Sequence, residues 1–281
     1  MSFAGLLVGL WLLFTIIEQL FWHSLSFSVI AISSLIITAS YLWYGFFKMN
    51  NVKKKEYTIP SPSCDIDILQ ISDLHIGSGL CKRTFAKNIK KIDEEEKDII
   101  VITGDIVDES TKKEDFLQAI ELLKSLHATQ GKYYVMGNHD WQNDFFKQSM
   151  KEAGFTLLDD KQVFFDTFSI IGRKDYFQER KDLNAYRYDR FTILCDHQPV
   201  ELQSTANHSI PLELCGHTHN GQIWPMGVIA RWLHENELMY GHKQIQSSHI
   251  LVTSGFGGWG YPIRTEGQSE YVLIHVKKNE L

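Results

Sequence analysis

Two histidines stand one residue apart in "CGHTHNGQ", Cys215–Gln222, between glycines and without zinc-finger cysteines around them. The apolar run "LELC" before them and the glycine-containing turn after them place the pair where a short strand ends. Residues i and i+2 of a strand share a face, so His217 and His219 can address one site. The same arrangement recurs along the chain. "IDILQISDLHIG" ends in Asp73 and His75, "DIIVITGDIVD" in Asp105 and Asp108, "KYYVMGNHD" in Asn138, His139 and Asp140, and "FTILCDHQP" delivers His197. Together Asp73, His75, Asp105, Asn138, His139, His197, His217 and His219 form an oxygen and nitrogen set without thiolate, too large for one ion. Two divalent cations sharing a bridging carboxylate would use it, and imidazole with carboxylate suits manganese, iron and zinc. Such a pair, about 3.5–4 Å apart, clamps a phosphoryl group and acidifies a water molecule. Glycines 104, 137 and 216 allow backbone to approach closely there.

The elements that must position these residues alternate. Apolar strand-like runs end at each polar corner, and between them lie amphipathic stretches at Lys82–Glu96, Lys112–Ala128 and Gln142–Gly154. In the second stretch Phe116, Ile120, Leu123 and Leu126 fall at helical spacing and mark a packed face. Strand–helix–strand repetition implies an α/β domain with a largely parallel sheet, whose carboxyl strand ends gather ligands. Later runs, "VFFDTFSIIG", "HILVTSG" and "EYVLIHV", are more β-like and imply a second sheet packed on the first. There is no internal repeat.

The first 47 residues have a different composition. Residues 2–47 hold no lysine or arginine and one formal charge, Glu18. They divide into Ser2–Trp22 and Ser24–Phe47, each about long enough to cross a bilayer core as a helix, with a tight turn around His23. Trp11, Trp22, Trp43, Tyr41 and Tyr44 supply interfacial aromatics. Lys48, Lys53, Lys54 and Lys55 follow, so the positive-inside rule puts the rest of the chain on the cytoplasmic side of the inner membrane. Residues 48–64 read as a basic juxtamembrane linker and 65–281 as a catalytic domain. All 28 basic residues and every acidic one of the 34 except Glu18 follow residue 47, leaving a net acidic globular part for which nucleic acid is a poor partner. The four cysteines lack disulfide or zinc-ribbon spacing and read as free thiols in or near the core. Cys215 reads as a packing residue, His127 and His208 as surface residues, and His242 and His249 as lacking partners.

"DLH", "GDIVD", "GNHD", "DH" and "GHTH" stand in the order, and near the spacing, of the calcineurin-like metallophosphoesterase superfamily, which this chain resembles from about Asp65 to Val276. The resemblance implies an α/β/β/α sandwich of two sheets flanked by helices, with two metals, manganese foremost and iron, zinc or magnesium as alternatives, at the strand ends. By position it makes Asp73, His75 and His219 ligands of the first metal, Asp105 the bridge, and Asn138, His197 and His217 ligands of the second. It makes His139 the non-ligand histidine that contacts phosphate and protonates the leaving oxygen, oriented by Asp140, where glutamate is frequent in the family. Asp108 then lies behind the ligands.

"GFGGWGYPIR", Gly255–Arg264, and "GQ" after "GHTH" are similar to the membrane-anchored branch, and Arg264 or the glycine amides are expected at the phosphate. That likeness implies a phosphodiester or pyrophosphate substrate, small or lipid-linked, with UDP-2,3-diacylglucosamine of lipid A synthesis as the specific expectation. A broader nucleotide or phospholipid phosphodiesterase and a membrane-tethered regulatory binding protein are the alternatives. Only some 58 residues separate His139 from His197, little for a large lid, so the apolar hairpin is expected to present acyl chains.

Overall fold

A computed structural model of the chain describes residues 3–21, 26–233 and 238–278. It begins with helices α1 (Phe3–Phe21) and α2 (Phe27–Met49), followed by β1 (Lys53–Ser61), β2 (Ile66–Ile71), α3 (Lys82–Asp93) and β3 (Ile99–Thr103). There follow α4 (Lys113–Lys124), β4 (Gly131–Val135), α5 (Asp144–Glu152), β5 (Phe155–Leu157), β6 (Lys161–Phe164), β7 (Phe168–Gly172) and β8 (Phe191–Cys195). The rest comprises α6 (Leu202–Asn207), β9 (Leu212–Cys215), α7 (Met226–Leu233), β10 (Gly241–Ile245), β11 (Ser248–Val252) and β12 (Glu270–Lys278).

Two six-stranded sheets result, ordered β1-β12-β2-β3-β4-β5 and β10-β11-β9-β8-β7-β6. Strands β2 to β4 carry apolar residues on both faces because both are covered. Ile68, Val101 and Val135 enter the core between the sheets, whereas Leu69, Ile100 and Ile102 meet Phe85, Ile89, Phe116, Ile120 and Phe146 of α3, α4 and α5. The outer face of the second sheet has a thinner cover, with Leu202 of α6 against Cys215, Ile250 and Val252. Each buried aliphatic side chain contributes roughly 1.5–3 kcal/mol, so the doubly covered sheet is a firm platform for its strand-end loops.

Three expectations are corrected. The basic linker is structured: Lys53–Ser61 pairs in parallel with β12 along its whole length, its lysines exposed on an edge strand. "EYVLIHV" joins the first sheet between β1 and β2 instead of the second, because antiparallel pairing of Val272–Val276 with Gln70–Ile66 closes the gap left there. Of the four thiols, Cys64, Cys195 and Cys215 are buried, but Cys81 is exposed just before α3.

Among the described residues α2 is the helix long and apolar enough to cross a membrane, over Ser28–Met49; the apolar part of α1, Val8–Phe21, is shorter. The turn around His23, and Trp22, lie outside the described residues. The two helices pack together, with Trp11 Nε1 donating to the Ala31 carbonyl at 3.2 Å and Ser33 and Ser34 donating to the Glu18 carboxylate. That gives the lone charge of α1 polar partners. Most other large side chains here, including Leu13, Ile16, Leu20, Ile32, Ile36 and Phe47, are exposed.

Candidate metal centre

Every ligand candidate lies in a loop that leaves the carboxyl end of a strand. Asp73 and His75 follow β2, Asp105 follows β3, Asn138 and His139 follow β4, His197 follows β8, and His217 and His219 follow β9. Strand order thus brings residues more than 140 positions apart into one cluster.

The cluster divides in two. Asp73, His75 and His219 form one triad and Asp105, His197 and His217 the other, with the donor atoms of each within 4.8 Å of one another. Asp105 Oδ2 stands between them, 3.1 Å from His197 Nε2 and 3.7 Å from His75 Nε2. Asn138 Oδ1 joins the second triad 3.2 Å from His197 Nε2. Ring nitrogens face each other at 3.2 Å in both, His75 Nε2 with His219 Nε2 and His217 Nδ1 with His197 Nε2. Nitrogens aimed at one another with carboxylates behind them suit a cation better than a shared proton, so the donor set fits two ions.

The surroundings polarise these groups. Burial opposes charge on His197, but the Asp105 and Asp73 carboxylates outweigh it and hold the ring up at about 10. Burial and the neighbouring His197 push His217 down to about 4, and burial with His75 and Arg264 pushes His219 down as well. Despite burial, His197 and the other histidines facing it keep Asp105 below the carboxylate range, so it remains an anion. His197 Nδ1 lies 2.8 Å from the Thr103 carbonyl, which fixes that nitrogen as the donor and aims Nε2 at the centre.

The backbone is bent to make this fit. Asp73, His75, Asp105, His217 and His219 all have positive φ, between 40° and 72°, a region non-glycine residues rarely enter. Such strain is characteristically held at functional sites. Two glycines make room: a Cβ on Gly137 would overlap the Asp105 carboxylate, and one on Gly216 would overlap Ser72 Oγ and Asp73 Oδ2.

Two role assignments change. Asp140 does not orient His139. Its carboxylate accepts the amides of Asp105, Ile106, Val107 and Gly137 at 3.0, 2.7, 3.1 and 2.8 Å, bracing the loop that carries the bridge. Burial and the nearby Asp105 push its pKa up to about 7. The place beside His139 is taken by Glu109, whose Oε1 is 2.8 Å from His139 Nδ1. Nor does Arg264 reach for phosphate. It is fully buried and donates to the carbonyls of His219, Ser254 and Gly257 at 2.9, 2.9 and 2.7 Å, so it holds the ligating turn. Asp108 lies behind His75, 3.6 Å from Nδ1.

Three residues received no individual role from the sequence. Glu109 belongs to a polar loop with no periodic signal. Gln222 is the glutamine of "GQ": its Nε2 donates to the carbonyls of Trp259, Tyr261 and Ile263 at 2.9, 3.2 and 3.2 Å, shaping the glycine-rich segment. Trp259 stands with its ring 5.5 Å from that of His139. His242 and His249 bond each other at 2.9 Å, and His127 is exposed beside Asp93.

A two-sheet α/β sandwich with two linked donor triads at its strand ends defines a class of protein that could hold a pair of metal ions for phosphoester chemistry. The calcineurin-like phosphoesterase family model matches residues 66–246, and the chain belongs to that family. It is 32% identical over 252 residues to an uncharacterised metallophosphoesterase of Helicobacter pylori, covering 84% of this chain and 67% of that one. It is 28% identical over 274 residues to the uncharacterised metallophosphoesterase YkuE of Bacillus subtilis, covering 89% of this chain and 94% of that one. A zebrafish (Danio rerio) transmembrane protein with metallophosphoesterase domain is 25% identical over 275 residues; the match covers 87% of this chain and 62% of that protein.

Proposed function

We propose that this chain is a membrane-anchored dimetal phosphohydrolase that cleaves a phosphodiester or pyrophosphate bond in a lipid-linked substrate. The observation that carries the hydrolase reading is Asp105 standing between two triads of facing donors. Asp73, His75, His219 and Asp105 would hold one ion, and Asp105, Asn138, His197 and His217 the other, with manganese the expected metal. Two such ions supply Lewis acidity to the phosphoryl oxygens and lower the pKa of a nucleophilic water. The protein's own part is positioning and proton transfer. Asp105 is held by the His139 amide at 2.9 Å, and both Asp73 oxygens accept the His217 amide at 3.1 Å, so carboxylates and ligating turns brace one another. His139, on the rim and held through Nδ1 by Glu109, would protonate the leaving oxygen through Nε2.

The anchored reading rests on the exposed apolar surfaces of α1 and α2 and on the length of α2. With both helices spanning, the catalytic part, the sandwich from β1 to β12, faces the cytoplasm. UDP-2,3-diacylglucosamine, with a pyrophosphate and two acyl chains, is the specific substrate put forward. The deciding experiment gives purified full-length protein in detergent, loaded with manganese, that compound, simple nucleotide diesters and phosphomonoesters. Preferential hydrolysis of the diacylated pyrophosphate is expected. Equal turnover of nucleotide diesters would make it a general phosphodiesterase, and metal binding without turnover would make it a regulatory binding protein.

A further inference from the structure

The segment after the double-histidine turn is built inside out. In α7, Met226, Val228, Ile229, Trp232 and Leu233 are all exposed, Trp232 at 77%, whereas Gly227 is buried. The charged residue of the helix, Arg231, turns back to the domain and bonds Glu266 and Asn220. A surface helix in water shows the opposite arrangement, with its apolar stripe inward. An exposed aromatic and aliphatic face backed by a polar anchor fits a helix in the plane of a lipid interface.

Its position supports the same occupant. Just before α7, the Trp224 carbonyl accepts from Tyr41 of α2 at 3.0 Å, and Trp224 N donates to Thr265 Oγ1 at 3.0 Å. Tyr41 precedes Lys48, the basic residue of the last turn of α2, by about 10 Å of helix. If Lys48 marks the water boundary, α7 starts on the lipid side of it. Between α7 and the loop carrying Tyr176 and Phe177 lies a groove of about 410 Å³, lined also by Val200, Ala230 and Met239 and reaching the metal-ligand candidate His217.

We infer that α7 lies in the membrane interface and that this groove guides the apolar tail of a membrane phospholipid-like substrate to the metal centre. The inference rests on the anchored reading above and adds an entry route to it. α7 is also coupled to the ligating turn. Gly221 packs on Gly227, and Arg231 Nη1 holds the Asn220 side chain at 2.8 Å. Insertion of α7 therefore bears directly on the residues beside His219.

The test uses the full chain in phosphatidylglycerol–phosphatidylcholine vesicles, with a nitroxide on Trp232→Cys in a Cys81→Ser background and a reference label on Glu121→Cys of α4. Collisions with oxygen relative to an aqueous nickel chelate should be severalfold more favoured at 232 than at 121. In the same vesicles, Trp232→Asp with Leu233→Asp should lower the ratio of turnover of a long-chain nitrophenyl phosphodiester to that of a water-soluble one about tenfold, the loss of two apolar contacts with the interface. Trp232→Leu should restore the ratio. A label at 232 as water-exposed as that at 121, in protein that still resists alkaline carbonate extraction, overturns the inference and leaves the anchor intact. Release of the chain by carbonate overturns the anchor and the inference together. Spin–spin broadening at 232 that disappears on dilution with unlabelled protein would identify a second copy as the occupant and likewise overturn it.

Discussion

Asp105 and His139 lie at the same centre, and the proposed function gives them different work that substitution separates. Asp105→Ala removes the one oxygen shared by the triads, so bound metal, read by elemental analysis of the purified protein, should fall with activity to background. His139→Asn leaves every ligand in place. It should keep the metal and lose the ~10²–10⁴-fold that a general acid contributes, read as a drop in kcat. Glu109→Ala, which frees the ring without removing it, should cost less than His139→Asn. Asp140→Asn distinguishes bracing from orienting. Placing an amide NH₂ among four backbone donors leaves buried groups unpaired, worth about 1–3 kcal/mol each, so its melting temperature and metal content should fall together. A mere orienter of His139 would leave both unchanged.

At the scale of elements, the sequence disclosed what repeats. Each strand's apolar run and each corner's short motif could be read locally, so the polar residues that cluster at the strand ends followed from order and residue type, while their division between two metals came from the family resemblance. What remained hidden depends on contacts across the chain. Arg264 looked like a phosphate-binding residue because it sits among glycines, yet the turns bury it against three carbonyls. Lys53–Ser61 looked like a linker because its partner strand is over 200 residues away. Asp140 looked like a neighbour of His139 because it adjoins it in sequence, whereas the turn directs its carboxylate to the amides after β3.

β9 carries a further consequence at this scale. Glu213 is buried, and burial together with the Asp196 carboxylate pushes it up to about 8 from an ordinary 4.5. A carboxyl that holds its proton more tightly when folded favours the folded state below its unfolded pKa, and that contribution is lost as pH rises towards the folded value. The thermal midpoint of the wild type should therefore decline between pH 4.5 and about 8. In Glu213→Gln that decline should be shallower. Equal slopes in parallel calorimetric scans would show that Glu213 is not protonated.

At the scale of the whole molecule, the apolar helices and the sandwich share a boundary that is not a simple tether. Met49 is fully buried, Arg264 N donates to the Gly45 carbonyl at 2.9 Å, and Lys48 Nζ donates to that of Thr265 at 3.1 Å. Cutting after residue 47 thus cuts through packing. Removal of residues 1–47 should lower the melting temperature of the remainder well below that of a protein lacking only residues 1–25, because it strips the acceptor from a buried amide, a loss of about 1–3 kcal/mol. Coincident melting curves would mean that the last turns of α2 contribute nothing.

The position of β12 between β1 and β2 also sets a timetable for biosynthesis. The strand that closes the first sheet leaves the ribosome roughly 200 residues after β2. At ~5–20 residues per second, β1 and β2 wait ~10–40 s with facing edges unpaired. Unpaired edges of this kind invite association with other chains. A nascent chain stalled before Glu270 would therefore have its donor loops made and its sheet open, a natural substrate for quality-control proteolysis.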